Sequence, residues 1–199
     1  MKDQPNSHLI LASASPRRLD LLRQIGITPE EIYKSNLDET PEPKETARQL
    51  VERLAISKAM AGASKFSQIF ILGADTVVAC GPRILGKAED EQTARCYLEL
   101  LSGRRHRVFG GICVIDPAGN TRSKVTETIV TFKRLEETEI SQYLCSEEWR
   151  DKAGGYAIQG LAASFIKKIN GSYSNVVGLP LYETVNLLTG MTYRLNWKV

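Results

Sequence analysis

The chain has 199 residues, of which 42% are hydrophobic and 25% charged, a balance typical of a water-soluble globular protein that folds as one domain over residues 1–199. Its net charge of +3 is too small to argue for a nucleic-acid partner. No apolar run approaches the roughly 20 residues that cross a membrane, and the start of the chain lacks the apolar core of a signal peptide, so we expect a cytoplasmic protein without a membrane partner.

The first predicted elements are a strand over Leu9–Ala12 and a helix that follows Ser15. Ser15 is a favourable N-cap residue, and Pro16 suits the first helical position because its missing N–H has no partner there. Arg17 and Arg18 therefore lie in the first turn, where the helix dipole disfavours cations unless an anion is bound. The segment predicts a phosphate-binding turn, with solvated arginines on a surface helix as the alternative.

The next two elements carry charged residues where apolar ones are expected. A helix is predicted over about residues 44–62, and Lys58 lies on its apolar stripe, where it either extends to solvent or lines a cleft. Residues 69–79 form an apolar run typical of a strand buried on both faces, interrupted by Asp75 and Thr76. Since burying an unpartnered carboxylate is costly, Asp75 must face a cation, a metal or an open crevice.

The second half of the chain predicts more strands. The segment over residues 151–160 has three glycines and no clear period, which indicates a loop that approaches another group closely. The basic cluster at residues 104–107 follows a helix end and is expected to be solvated. The remaining predicted elements are a helix from Asp90 to Gly103, strands over residues 108–115 and 123–132, a helix over 136–145, a strand over 164–169 and a helix over 181–188.

The reactive side chains favour carboxylate and cation chemistry. Two histidines and four well-separated cysteines, Cys80, Cys96, Cys113 and Cys145, argue against a catalytic triad or a zinc site. Three of the cysteines lie in or beside apolar segments, so we expect reduced, buried thiols. The sequence has neither a P-loop nor a dinucleotide-binding motif. There remain Arg17, Arg18, Lys58 and Lys87 as cations and Asp38, Glu39 and Asp75 as carboxylates, a set suited to phosphoryl or nucleotidyl chemistry with a divalent ion.

Seven motifs, in order over about residues 9–188, resemble those of the Maf proteins, a family of nucleoside triphosphate pyrophosphatases. They are Ser13-x-Ser15-Pro16-Arg17-Arg18, Asp38-Glu39, Lys58, Gly73-Ala74-Asp75-Thr76, Lys87, Leu101-Ser102-Gly103, and Gly171-Ser172-Tyr173 through Gly178-Leu179-Pro180. The resemblance implies an α/β fold of the inosine-triphosphatase type, with a mixed twisted sheet, flanking helices and two lobes around a central cleft, and it implies a homodimer. One departure is Ala88, which stands where the family usually has proline.

The resemblance also implies roles for individual residues. The segment over residues 151–160 resembles the branch of the family that hydrolyses dTTP and UTP to the monophosphate and pyrophosphate. Because aspartate is a weak base at neutral pH, a divalent cation, Mg²⁺ or Mn²⁺, would share the activation of water. The resemblance implies Asp75 as the proton acceptor or metal-linked activator of water, and Arg17, Thr76 and Gln159 as specificity positions. We therefore expect the catalytic residues to be Asp75, Lys58, Lys87 and Arg18, and the substrate-binding residues to be Ser13, Ser15, Arg17, Thr76, Lys152 and Gln159. We assign Glu39 to the metal together with Asp75, with Asp38 as a helper.

The side chain of Gln159 suits a pyrimidine base. An amide both donates and accepts hydrogen bonds, so it matches the two carbonyls and the N–H of uracil or thymine without contacting the 5-methyl group or the 2′-hydroxyl. The alternative function is a non-catalytic regulator of cell division that binds nucleotides or nucleic acid. Asp75 argues against it, because a carboxylate among phosphate-binding cations repels the ligand unless a metal intervenes. A third candidate, a sugar-nucleotide transferase, shares the arginine-rich start but would have a phosphate-binding loop richer in glycine.

Overall fold

The computed structural model describes residues 8–195 and 197. The strands are β1 (Leu9–Ala12), β2 (Glu31–Ile32), β3 (Phe70–Cys80), β4 (Arg83–Leu85), β5 (Arg105–Ile115), β6 (Thr121–Phe132) and β7 (Ile166–Asn170). The helices are α1 (Pro16–Gln24), α2 (Ala47–Ala63), α3 (Glu91–Leu101), α4 (Glu137–Cys145), α5 (Tyr173–Val177) and α6 (Leu181–Gly190), and a 3-10 turn spans Leu161–Phe165. No described helix is long and apolar enough to span a bilayer.

All seven strands belong to one mixed sheet. Its order is β2-β1-β3-β5-β6-β7, and β4 adds to β3 beside this path. β1 runs parallel to both of its neighbours, whereas β3, β5, β6 and β7 form a continuous antiparallel series. The predicted α/β architecture, a mixed sheet with flanking helices, is confirmed.

One edge of β3 is interrupted halfway along the strand. β1 pairs with Phe70–Gly73, and β4 pairs with residues 78–80, so residues 74–77 pair with neither of these strands. On its other side, β3 pairs with β5 without a break from Ile71 to Ala79. The interruption lets side chains from both faces of the strand, among them Asp75 and Thr76, reach the same space.

Helix α2 packs directly on the sheet because two glycines face it. A Cβ atom added to Gly73 would lie 2.3 Å from the carbonyl oxygen of Ala55 and 2.5 Å from the amide nitrogen of Ala59. A Cβ added to Gly111 would lie 2.3 Å from the carbonyl oxygen of Val51. Helix α2 therefore packs closely against β3, the strand that carries Asp75.

Several predicted boundaries move in the structure. Helix α2 begins at Ala47 rather than near residue 44, because Thr46 and Gln49 form a capping box that fixes the start of the helix. The strand predicted from residue 164 is preceded by the 3-10 turn and begins at Ile166. β2 and α5 were not predicted, since two and five residues are too short to show a period.

Two predictions about side-chain burial are partly wrong. All four cysteines are free, but Cys96 and Cys145 are exposed on their helices, whereas Cys80 and Cys113 are buried in strands. The basic cluster follows the end of α3 as predicted, but its residues 105–107 begin β5, so their side chains alternate between the two faces of the sheet. Arg105 and Arg107 are therefore exposed, and the intervening His106 is buried.

Candidate active site

A cavity of about 510 Å³ opens at the interruption in the edge of β3, a volume within the range of small-molecule sites. Its lining comes from the β1–α1 turn, α2, β3, the segment after β4, the loop over residues 151–160 and the end of α5. The structure brings eleven of the predicted site residues to this one space: Ser13, Ser15, Arg17, Arg18, Glu39, Lys58, Asp75, Thr76, Lys87, Lys152 and Gln159.

A buried lysine joins two carboxylates on the wall of the cavity. Lys58 Nζ donates a hydrogen bond to Asp75 Oδ1 at 2.6 Å and lies 2.7 Å from Glu39 Oε1. Lys58 and Asp75 are 8% and 7% exposed, so each charge offsets part of the cost of burying the other, whereas the Glu39 side chain is 45% exposed. Of the two alternatives for Lys58, the structure therefore shows the one that lines a cleft, and Asp75 faces a cation, as predicted.

Nearby cations, chiefly Lys58, determine the protonation state of Glu39. Partial burial acts to raise the pKa of Glu39, but the hydrogen bond and the charge of Lys58 lower it overall, with smaller contributions from Lys87 and Arg18. Glu39 is consequently a carboxylate at neutral pH, and it presents oxygen ligands to the cavity.

Arg18 ties together three segments of the site. Its Nε donates to the carbonyl oxygen of Gly178 at 2.9 Å, Nη1 donates to Ser13 Oγ at 2.6 Å, and Nη2 donates to Thr76 Oγ1 at 3.1 Å. The hydroxyl of Thr76 donates in turn to the carbonyl oxygen of Gly178 at 3.3 Å. The guanidinium is buried, and its desolvation lowers the pKa of Arg18 against the opposing charge of Asp75. Arg18 thus holds the β1–α1 turn, β3 and the end of α5 in register.

Arg17 and Lys152 both line the cavity, and they lie close enough for their like charges to interact. Burial lowers the pKa of Arg17, and the charge of Asp151 partly opposes this effect. Burial also lowers the pKa of Lys152, and the charge of Arg17 adds to that effect. Bringing an anion between these two cations would relieve their repulsion.

The lining as a whole carries an excess of positive charge. Its described cations are Arg17, Arg18, Lys34, Lys58, Lys87 and Lys152, and its carboxylates are Glu39, Asp75 and Asp151. Lys34 and Asp151 were not predicted from the sequence. The sequence signal for Asp151 is its place beside Lys152 in the glycine-rich segment. In the structure its backbone has a φ of 56°, a conformation that residues other than glycine seldom take.

The loop over residues 151–160 closes one side of the cavity. Ala153 forms an isolated bridge with Lys87, and the amide of Gly154 donates to the carbonyl oxygens of Leu85 and Gly86 at 3.0 Å. Gly154 has a φ of 72°, and an added Cβ would lie 2.9 Å from the Val78 side chain, which confirms the predicted close approach.

Asp38 is the one predicted site residue that the structure does not bring to the cavity. Its Oδ1 accepts a hydrogen bond from the amide of Thr40 at 2.9 Å, within an exposed turn. Hydrogen bonds from Thr40 lower the pKa of Asp38, so its carboxylate is engaged in shaping the turn that precedes α2.

Glu39 and Asp75 are the residues that suit a divalent metal ion. Both reach the ammonium of Lys58, so their oxygens converge beside the cations that would hold phosphates. Mg²⁺ and Mn²⁺ favour such oxygen ligands, and Mg²⁺ is typically held by one or two carboxylates together with substrate phosphates and water. Over residues 8–195, no group of three or more His, Cys, Asp or Glu side chains is arranged to hold a metal ion, so the substrate would complete the coordination.

A sequence model of the Maf-like protein family matches residues 8–191. The chain belongs to this family. A relative from Paramagnetospirillum magneticum, named dTTP/UTP pyrophosphatase, is 58% identical over 93% of this chain and 97% of its own length. Relatives of the same name from Rhodospirillum rubrum and Caulobacter vibrioides are 54% and 53% identical, each over 94% of this chain, and over 89% and 96% of their own lengths. Among solved structures, a HAM1 protein from Coxiella burnetii is 14% identical, with a TM-score of 0.49, over 94% of this chain and 99% of that one.

Proposed function

We propose that this Maf-like protein hydrolyses dTTP and UTP between the α- and β-phosphates, releasing the nucleoside monophosphate and pyrophosphate. The observation that carries the proposal is the Lys58–Asp75–Glu39 group in a cavity whose other charges are mainly cations. The relatives' shared name, dTTP/UTP pyrophosphatase, supports the substrate assignment. A nucleotide-binding regulator would need the cations but not the carboxylate pair.

The cations divide into two groups. Arg17, Lys87 and Lys152 line the cavity from separate segments, so together they surround a triphosphate and neutralise the pyrophosphate as it leaves. Arg18, whose guanidinium is engaged by Gly178, Ser13 and Thr76, acts chiefly by holding these segments in place.

Asp75 accepts the proton from the attacking water. Its Oδ1 is fixed by the hydrogen bond from Lys58, which orients the carboxylate so that Oδ2 is the oxygen that takes the proton. The water oxygen bonds to the α-phosphorus, and the bond from that phosphorus to the bridging oxygen breaks, so the bridging oxygen departs with pyrophosphate. A divalent cation held by Glu39 and Asp75 would acidify the water and neutralise phosphate oxygens.

The loop over residues 151–160 selects the base. Gln159 is exposed at the cavity, where its amide can pair with the carbonyl and N–H groups shared by uracil and thymine. Neither the 5-methyl group nor the 2′-hydroxyl needs a contact in this arrangement, which accounts for a preference that includes both dTTP and UTP.

Four further proposals concern the whole protein; the family resemblance supports the first two, and the small net charge of +3 supports the last. Residues 1–199 form a single domain with two lobes around the cleft, and the protein is a homodimer. It acts in the cytoplasm and does not bind nucleic acid.

The test is an assay of the products with dTTP and UTP, in Mg²⁺ or Mn²⁺ and in excess chelator. We expect pyrophosphate and the monophosphate in equal amounts, with activity lost in chelator. Release of orthophosphate would show a phosphatase instead, and tight binding of dTTP without turnover would favour the regulator.

A further inference from the structure

His106 is a buried histidine that no step of the proposed hydrolysis uses. It is 2% exposed, and its Nε2 lies at hydrogen-bond distance, 2.8 Å, from the Tyr156 hydroxyl. The His106 ring packs edge-on against Phe132 and Tyr156, with ring centroids 5.1 Å and 5.4 Å apart. Within this aromatic environment, Nε2 of His106 on β5 has the Tyr156 hydroxyl as its hydrogen-bond partner.

That hydroxyl belongs to the loop that closes the cavity. Tyr156 is 6% exposed and lines the cavity, four residues after Lys152 and three before Gln159. Apart from the single bridge at Ala153, the loop has no strand or helix pairing of its own. Its position therefore depends on individual contacts.

Two kinds of contact hold the loop. Hydrogen bonds from two backbone amides fix the loop on either side of Tyr156. The amide of Gly154 donates to the carbonyl oxygens of Leu85 and Gly86, and the amide of Ala157 donates to the Tyr143 hydroxyl at 3.1 Å. Between them, the side chain of Tyr156 reaches through the core to His106. Because burial lowers the pKa of His106 to about 4, the ring is neutral at neutral pH and the bond does not carry a buried charge.

We infer that His106 is a positioning residue for the nucleotide: by holding Tyr156, it fixes the loop that presents Lys152 and Gln159, and so sets the affinity for the substrate without touching it. The inference rests on the proposed function. It predicts that breaking the hydrogen bond weakens substrate binding while leaving the chemical step at Asp75 and Lys58, which lie on other elements, nearly unchanged.

The experiment compares kcat and KM for dTTP and UTP in Tyr156→Phe, His106→Phe, the double variant and His106→Gln. Tyr156→Phe keeps the ring and removes the hydroxyl alone. We expect KM to rise about fivefold in either single variant, the size of one hydrogen bond, with kcat within about twofold of wild type. Because both changes break the same bond, the double variant should be no worse than His106→Phe. Glutamine at position 106 retains a polar partner and should recover part of the loss.

Tyr193→Phe is the matched control. Tyr193 is a buried tyrosine whose ring packs edge-on against Phe70, outside the lining of the cavity, so we expect its KM to equal that of wild type. Unchanged KM in Tyr156→Phe, or losses that add in the double variant, would overturn the inference. If His106→Phe does not fold, Tyr156→Phe and His106→Gln still decide the question.

A failure of the proposed function gives a different result. If the wild-type protein releases no pyrophosphate from dTTP or UTP, the proposed function is wrong, and direct binding of dTTP then replaces KM as the measurement. A dissociation constant for dTTP that rises about fivefold in Tyr156→Phe would still support the role of His106, and an unchanged constant would contradict it.

Discussion

The two sides of the cavity are built in different ways. On one side, Lys58 and Asp75 lie on a helix and a strand that are pressed together at Gly73, and Arg18 ties the neighbouring turn to them. On the other side, Lys152 and Gln159 lie on a loop held by a few separate hydrogen bonds. In the proposed mechanism, the rigid side carries the groups that must be placed precisely for bond breaking, and the loop carries the groups that would distinguish one base from another.

This contrast divides the expected effects of substitutions. Changes on the helix and strand should lower kcat for every nucleotide, because they alter the geometry of the water, the carboxylate and the cation. Changes on the loop should raise KM and alter the choice of base, with a smaller effect on kcat.

The largest expected effect is that of Asp75→Asn. Asparagine keeps the shape but cannot take the proton from water, so we expect kcat to fall by about 10²- to 10⁴-fold with dTTP and UTP alike. Binding of dTTP should stay within about tenfold of wild type, measured by calorimetry. Asp20→Asn, an exposed change on α1, is the control and should leave kcat unaltered. Near-normal turnover in Asp75→Asn would remove Asp75 from the mechanism.

Gly73→Ala tests whether close packing positions the rigid side. The added Cβ would lie 2.3 Å from the carbonyl oxygen of Ala55, so α2 has to move away from β3. We expect a loss of about 1 to 3 kcal/mol in the free energy of unfolding, with a lower kcat because Lys58 shifts relative to Asp75. Gly190→Ala is the control, since the nearest atom to its Cβ is the end of the Arg122 side chain, 3.6 Å away. Equal stability and kcat in both variants would contradict this view of α2.

Gln159→Glu tests the loop side. A carboxylate cannot donate to the carbonyl groups of uracil and thymine and repels them, so KM for dTTP and UTP should rise about tenfold, while kcat changes less. Gln142→Glu makes the same change of charge at an exposed position on α4, outside the cavity lining. A panel of triphosphates measures the preference, and an unchanged order of substrates would place base recognition elsewhere.

The smallest effect is a pH dependence of stability from His106. Its pKa is about 4 in the folded protein, because burial disfavours the charged ring, against about 6.5 for an unfolded histidine. Between these two pKa values the unfolded chain binds more protons than the folded protein does. The contribution of His106 to the free energy of unfolding is therefore fully present above pH 6.5 and is lost as the pH falls toward 4. From pH 6 to pH 5 we expect a loss of about 1 kcal/mol that His106→Gln lacks, measured by urea unfolding. The same pH dependence in both proteins would contradict the neutral state of His106.

The patterns of the sequence alone singled out residues on the rigid side, whereas Lys152 and Gln159 on the loop were named from the family resemblance. Lys58 and Asp75 stood out because each breaks an apolar pattern on a long, regular element, and such patterns depend on local geometry that the sequence contains. Lys34 and Asp151 were missed, since the position of a loop residue depends on contacts made far along the chain. Asp38 was predicted beside Glu39, but its carboxylate engages the local turn at Thr40 rather than the cavity.

His106 shows a signal that was present and misinterpreted. Its place between Arg105 and Arg107 follows the alternation of a strand, with one residue buried between two exposed ones. The three arginines around it suggested a solvated cluster instead. Its partner Tyr156 lies 50 residues away in sequence, so the hydrogen bond between them was not predictable from either segment alone.

The most direct test of the central claim is hydrolysis of dTTP in water enriched in ¹⁸O, with both products analysed by mass spectrometry. Water directed by Asp75 at the α-phosphorus places the label in dTMP and leaves the pyrophosphate unlabelled. Label in the pyrophosphate, with none in dTMP, would show attack at the β-phosphorus and contradict the arrangement proposed for this cavity.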